Sequence, residues 1–177
     1  MRISILGQCG AGKTTLAQLL SGIFNIVHIS SGDIARDNGF AGSKAEKEGK
    51  LSPNEERIRA IIREAIKDSD KYILDGFPRT IDQIEHVDIF LDAVLFLDLG
   101  PYHEIGIERL LERGRPDDTE KIIKKRIITF YEYTYPLVEY FEKKNLLIRI
   151  DATGGIYETL SKSIIQMMEK NISYILR

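Results

Sequence analysis

The stretch GQCGAGKTTL at positions 7–16 follows the apolar run Ile3-Ser4-Ile5-Leu6 and precedes the helical apolar pattern that begins with Ala17-Gln18-Leu19-Leu20. Gly7-x-x-x-x-Gly12-Lys13-Thr14 has the spacing of a phosphate-binding loop, with the strand before it and the helix after it that such a loop requires. Its glycines let the chain curl until successive backbone N–H groups face inward, and the helix adds the positive end of its dipole. Gly10, Ala11, Gly12, Lys13, Thr14 and Thr15 are thus expected to cradle an anion. Lys13 would reach the outer phosphates, and the Thr14 hydroxyl would ligand Mg²⁺, the hard cation that accompanies nucleotide phosphates.

Short apolar runs alternate with longer helical patterns along the rest of the chain. Ile3 to Leu6, Ile26 to Ser30, Tyr72 to Asp75, Ala93 to Leu99 and Leu146 to Asp151 read as five strands. Near-continuous apolarity suits a sheet covered on both faces, and the intervening helices imply a doubly wound α/β fold with five parallel strands. Ligands in such folds sit beyond the strand C-terminal ends. Here four strands end at or near polar groups: the glycine loop, Ser30-Ser31-Gly32-Asp33, Asp75-Gly76 and Asp151.

At 177 residues and 43% hydrophobic content, the chain suits a single domain spanning 1–177. Twenty-five Lys and Arg against 27 Asp and Glu give no bulk attraction to nucleic acid or to an anionic membrane. The lone Cys9 excludes an internal disulfide framework, and the glycine loop interrupts the N-terminal apolar run before it reaches signal-sequence length. With no apolar run approaching ~20 residues, a cytoplasmic, soluble monomer is expected. His28, His86 and His103 show no ligand spacing and are given no role.

Three segments stand outside the regular core. Residues 37–53 are polar and glycine-rich and read as a small mobile insertion, followed by a helix through Ile58, Ile61, Ile62 and Ile66. Residues 109–118 (RLLERGRPDD) end one helix at Arg113-Gly114 and begin another after Pro116. Six aromatics between Phe130 and Phe141 follow a helical pattern interrupted at Pro136, which reads as core packing with a tolerated kink. The run KIIKKR at 121–126 reads as a solvated helix face with Arg126 turned inward.

A phosphate loop alone does not separate GTPases, ATPase motors and kinases. The guanine-reading Asn/Thr-Lys-x-Asp tetrad is missing, which weakens the GTPase reading. Present instead are SSGDIAR at 30–36, DGFPRT at 75–80 with Gln83 downstream, and RPDD at 115–118 followed by Arg126. At these residues, and from Arg2 to roughly Ile156, the sequence resembles the adenylate kinase family of nucleoside monophosphate kinases, which share the P-loop NTPase fold. The chemistry independently asks for such residues. Transfer between two nucleotides gathers several phosphates, arginine supplies permanently charged bidentate forks, and a phosphate acceptor needs no strong general base.

The resemblance implies ATP as donor, AMP as acceptor and Mg²⁺ as cofactor, in a reversible transfer that gives two ADP. It places Arg36 and Arg79 on the acceptor monophosphate, with Ser31, Leu51 and Gly76 bordering the acceptor base. Gln83 then reads the base, since a carboxamide can pair with adenine's amino group and the neighbouring ring acceptor. Arg113, Arg115 and Arg126 resemble the arginines that close over the transferring phosphate. Arg109 resembles the one that stacks on the donor adenine, which Gly154 borders, while Asp33 and Asp75 would hold Mg²⁺ through waters. The resemblance also implies an acceptor-binding insertion at about 31–60 and a lid at about 109–118.

Three departures from the family pattern are visible. The lid between Arg113 and Arg115 is a single glycine, where long-lid members insert a small domain that sometimes carries a zinc-binding cysteine cluster; with Cys9 alone, no zinc is expected. Thr14 replaces the usual glycine after the loop lysine, and Ser31 replaces the usual threonine. Alternative expectations are a kinase of CMP, UMP or another monophosphate, against which Gln83 argues for the pyrimidines, and a non-kinase nucleotide-binding protein that hydrolyses ATP slowly or not at all.

Overall fold

The computed structural model describes residues 1–39, 55–85, 90–101 and 103–172. Leu51 and most of the 37–53 segment lie outside the described residues. Five strands, β1 (Arg2–Gly7), β2 (Val27–Ser30), β3 (Tyr72–Asp75), β4 (Ala93–Asp98) and β5 (Leu147–Asp151), form one sheet in the order β2-β3-β1-β4-β5. Every pairing is parallel. The fold is therefore the expected α/β type, and each strand lies within a residue or two of the bounds expected from apolarity.

Eight helices connect or follow the strands among the described residues: α1 (Lys13–Phe24), α2 (Ser31–Asp37), α3 (Glu55–Ile66), α4 (Ile81–Glu85), α5 (His103–Arg113), α6 (Glu120–Thr129), α7 (Pro136–Lys143) and α8 (Ile156–Glu169). None of the described helices is long and apolar enough to cross a membrane.

Alternate residues along each strand feed opposite faces of the sheet. Ile3, Ile5, Ile73, Leu95, Leu97, Ile148 and Ile150 pack with Leu16, Ala17 and Leu20 of α1 and Met167 of α8. On the other face, Leu6, Val94, Phe96 and Leu147 meet Phe130 and the Leu137, Val138 and Phe141 stripe of α7. Tyr72 and Leu74 meet Ile62 of α3 and Phe77. Both faces are thus covered, which is why the strands read as continuous apolar runs rather than alternating ones.

The sheet order fixes where a ligand must sit. β1 lies between β3 and β4, so the chain winds to opposite sides of β1, and the crevice beyond its C-terminal end is the topological switch point. Register brings Ile5, Asp75 and Ser30 to one level across three strands. The glycine loop, the Asp75-Gly76 turn and the Ser30-Ser31 start of α2 accordingly meet at that edge.

Two local expectations are refined. The helix after Pro116 begins only at Glu120, where Thr119 caps it by accepting from Ile122 N. The irregularity near Pro136 is a π-helical turn at Phe130–Thr134, with Pro136 opening α7 directly after it.

Candidate phosphoryl-transfer site

The loop after β1 is curled by Gly10 and Gly12 in the left-handed region, at φ 79° and 88°. It rests directly on α5. A Cβ on Gly10 would lie 2.2 Å from the Gly106 carbonyl oxygen, and one on Gly106 would lie 2.5 Å from that of Cys9. Two glycines therefore permit backbone-to-backbone packing between the loop and a helix. Gln8 braces the other side, donating to Gly100 O at 3.2 Å and accepting from Leu99 N at 3.0 Å.

Lys13 donates to the carbonyls of Gly7 and Gln8 at 2.8 and 2.7 Å. Burial pushes its ammonium below the ordinary lysine pKa against the pull of Cys9 and Asp75, and the charges of Arg79 and Arg113 push the same way as burial. The charges of Arg79, just beyond β3, and of Arg113, at the end of α5, thus both reach the loop lysine.

Thr14 Oγ1 donates to Asp75 Oδ2 at 2.6 Å, and His28 Nε2 lies 3.6 Å from the same oxygen. Burial works to raise the Asp75 pKa, yet His28, the Thr14 hydroxyl and the Lys13 charge hold the carboxyl below the usual range. This hydroxyl and carboxylate form a hard-oxygen pair at the base of the cradle. Asp33 instead pairs with Arg36, and its helix is capped by Ser30, which accepts from Asp33 N at 3.2 Å.

Around the acceptor side, Ser31 Oγ donates to Gly76 O at 2.8 Å. Arg79 Nε donates to Gly76 O at 2.9 Å, and its Nη2 lies 3.2 Å from Ser31 Oγ. Gln83 is buried, and its Oε1 accepts from Arg79 N at 2.6 Å. The expected base reader thus also fixes the Arg79 backbone.

The segment expected to form the lid is a tight turn with Gly114 at φ 64° and Asp118 N donating to Arg115 O at 2.9 Å. Asp118, whose side chain is 0% exposed, takes a bidentate bond from Arg113 at 2.9 and 2.8 Å and a third from Arg126 at 3.2 Å. Asp117 pairs with the other arm of Arg126. Burial would raise both aspartates, but Arg113 acting on Asp118 and Arg126 acting on Asp117 take them below the ordinary carboxyl range. Arg115 acts on Asp33 and Arg36 on Asp117, so the lid and the acceptor segment face each other.

Arg109 lies where the phosphate loop meets the end of β5. Its guanidinium donates to the carbonyls of Ala152, Thr153 and Gly154 at 2.9, 3.1 and 2.7 Å and reaches Gly10 O at 3.5 Å. Of the residues expected from sequence, Thr14 meets Asp75; Ser31, Gly76, Arg79 and Gln83 form one bonded group; Arg113, Arg115 and Arg126 meet on Asp118; and Arg109 joins Gly10 to Gly154. Sequence reasoning missed Gly106, Gln8 and the approach of His28 to Asp75. None has a spacing signal, because each owes its place to a partner distant in the chain.

Comparison with known proteins agrees with this geometry. The family model described as "Adenylate kinase" matches residues 5–146. Similar proteins named "Adenylate kinase" occur in Corynebacterium urealyticum (38% identical, covering 96% of this chain and 100% of that protein) and Thermobifida fusca (37%, covering 93% and 96%). Another, from Mycobacteroides abscessus, is 38% identical over 92% of this chain and 97% of its own length.

Two expected outcomes follow from the packing and the charges. Gly106→Ala forces a Cβ against the Cys9 carbonyl, an overpacking cost of about 1–3 kcal/mol set against a helix-propensity gain of about 1 kcal/mol. Calorimetry should find nucleoside triphosphate binding weaker by about tenfold, and unchanged affinity would show the contact to be slack. Because Asp117 and Asp118 have depressed pKa values in the folded state, their stabilisation is complete above the unfolded value of about 4 and is lost as pH falls through the folded values. Asp118→Asn should lower Tm at pH 7 by at least ~3 °C and flatten the fall of Tm below pH 5, as read by thermal unfolding across pH.

Proposed function

Because this chain belongs to the adenylate kinase family, we propose that the crevice moves a phosphoryl group reversibly from ATP to AMP, giving two ADP. The protein is a phosphotransferase of the nucleoside monophosphate kinase type. The observation that carries the residue-level reading is Lys13 bonded to the Gly7 and Gln8 carbonyls of the phosphate loop, with the charges of Arg79 and Arg113 both reaching it.

In this reading the loop N–H groups and Lys13 hold the donor phosphates, while Arg109, braced on the Gly154 segment, lies against the donor base. Arg36 and Arg79 grip the acceptor monophosphate. Arg113, Arg115 and Arg126 supply positive charge where the transition state spreads negative charge over the moving group's oxygens. Both reactants are phosphates, so alignment and electrostatics carry the rate without a strong general base.

The donor set at the cradle's base suits Mg²⁺, which favours one or two carboxylates together with substrate phosphates. Thr14 would ligand it, with Asp33 and Asp75 contributing through waters. Bound there, Mg²⁺ supplies charge neutralisation on the phosphate oxygens. Among the described residues no group of three or more His, Cys, Asp and Glu could hold a metal without such help.

In this reading Ser31, Gly76 and the buried Gln83 border the acceptor base, and Gln83 favours adenine. Its Oε1 accepts from Arg79 N, which ties the base reader to the acceptor arginine. Leu51 is proposed for the same site on sequence grounds alone. Residues about 31–60 form the acceptor-binding insertion in this reading, and about 109–118 form the lid.

A coupled assay of ADP formation with Mg·ATP and AMP, dAMP, CMP, UMP or GMP tests the reading, with AMP expected to be strongly preferred. Turnover confined to a pyrimidine would remove Gln83 as an adenine reader, and no acceptor-dependent ADP would remove the kinase assignment. Arg79→Ala should lower kcat/KM for AMP by ~100-fold or more, while KM for ATP moves less than about threefold. Unchanged AMP kinetics would show that Arg79 does not grip the acceptor.

A further inference from the structure

The helical segment after Arg126 leaves α-helical geometry at one place. Phe130–Thr134 form a π-helical turn, in which Tyr135 N donates to Phe130 O at 2.8 Å. Such a turn holds one residue more than an α turn, so every side chain beyond it is rotated by about 100° relative to an uninterrupted helix. Phe130 before the turn and Leu137, Val138 and Phe141 after it all reach the core. Pro136, which has no N–H to lose, opens α7 immediately afterwards.

The rotation also delivers a polar group. Thr134, the last residue of the turn, donates its hydroxyl to the Arg79 carbonyl at 2.9 Å. The Arg79 peptide is consequently held on both sides, by Gln83 Oε1 on its N–H and by Thr134 on its carbonyl. Its guanidinium is oriented by Gly76 O and Ser31 Oγ. The same helical rod carries Arg126, fixed on Asp117 and Asp118, at its other end. One element therefore connects an arginine of the transfer side with the arginine of the acceptor side.

We propose that Thr134 is a positioning residue for the acceptor: presented by the π turn, it fixes the Arg79 backbone relative to Arg126, so that the acceptor monophosphate lies in line with the transferring group. The proposal rests on the reading of Arg79 as the acceptor-phosphate arginine. A β-branched side chain suits the task, because its restricted χ1 holds the hydroxyl in place. Misplacement by about 1 Å in such an arrangement costs up to ~100-fold in rate.

Steady-state kinetics in both substrates, with thermal unfolding alongside, test the proposal on Thr134→Val and Thr134→Ser. Thr134→Val keeps the shape and removes the donor. It should lower kcat/KM for AMP by about tenfold and change KM for ATP less than about twofold, with Tm within ~2 °C of the parent. Thr134→Ser should recover most of the loss, and Thr134→Val should add nothing further to AMP kinetics in an Arg79→Ala background. Wild-type AMP kinetics in Thr134→Val would overturn the proposal while leaving the acceptor reading intact, provided Arg79→Ala is crippled. A loss shared equally by ATP and AMP, or one that tracks a fall in Tm, would assign Thr134 a structural role instead. Normal AMP use by Arg79→Ala would overturn both ideas together.

Discussion

Cations gathered to receive phosphates repel one another, and the protein must hold them together. The charges of Arg79 and Arg113 both act on Lys13. Four carboxylates offset that repulsion: Asp75 at the loop, Asp33 on Arg36, and Asp117 with Asp118 on the lid arginines. All four are held below the ordinary carboxyl range and so stay ionised at neutral pH. The arginine forks thereby keep an orientation suited to a bidentate anion, which reduces the reorganisation needed when a phosphate takes part.

The sheet makes this balance possible by bringing groups from distant parts of the chain to one edge. Asp75 stands level with Ile5 and Ser30, so the polar residue ending β3 falls beside the phosphate loop and the start of α2. Lid and loop are joined by a second route, the backbone contact of Gly10 with Gly106 in α5, the helix that ends at Arg113. A single-residue lid gives Arg113 and Arg115 little freedom, and the buried Asp118 accepts from both sides of the turn.

How much of this could be read from the sequence depends on the range of the forces concerned. Strand bounds were legible because burial on both faces imposes apolarity residue by residue, and the phosphate loop was legible because its conformation is local. Side-chain partners were less so: Ser30 caps α2 and Asp33 pairs with Arg36, and neither arrangement was expected from the sequence. His28 carried no spacing signal, since it approaches Asp75 only through strand pairing. The π turn was visible only as a kink at Pro136. Its position is set by Phe130 packing on Phe96 and by the bond from Thr134 to Arg79, neither of which has a local signature.

The four carboxylates are not equivalent, and the difference bears on how the site can change during turnover. The side chain of Asp118 is fully buried and carries bonds from Arg113, Arg126 and the Arg115 backbone. Withdrawing its partners would strand a buried charge, a loss that proteins avoid because it costs several kcal/mol. Asp117 and Asp33 have side chains 35% and 48% exposed, so water can solvate either one when its arginine turns to a phosphate. Arg36 can therefore release Asp33 for another anion at small net cost, while Arg113 and Arg126 remain anchored on the buried Asp118. Two arginines held on one buried carboxylate, beside a third on an exposed one, keep the site ordered while leaving Arg36 able to turn.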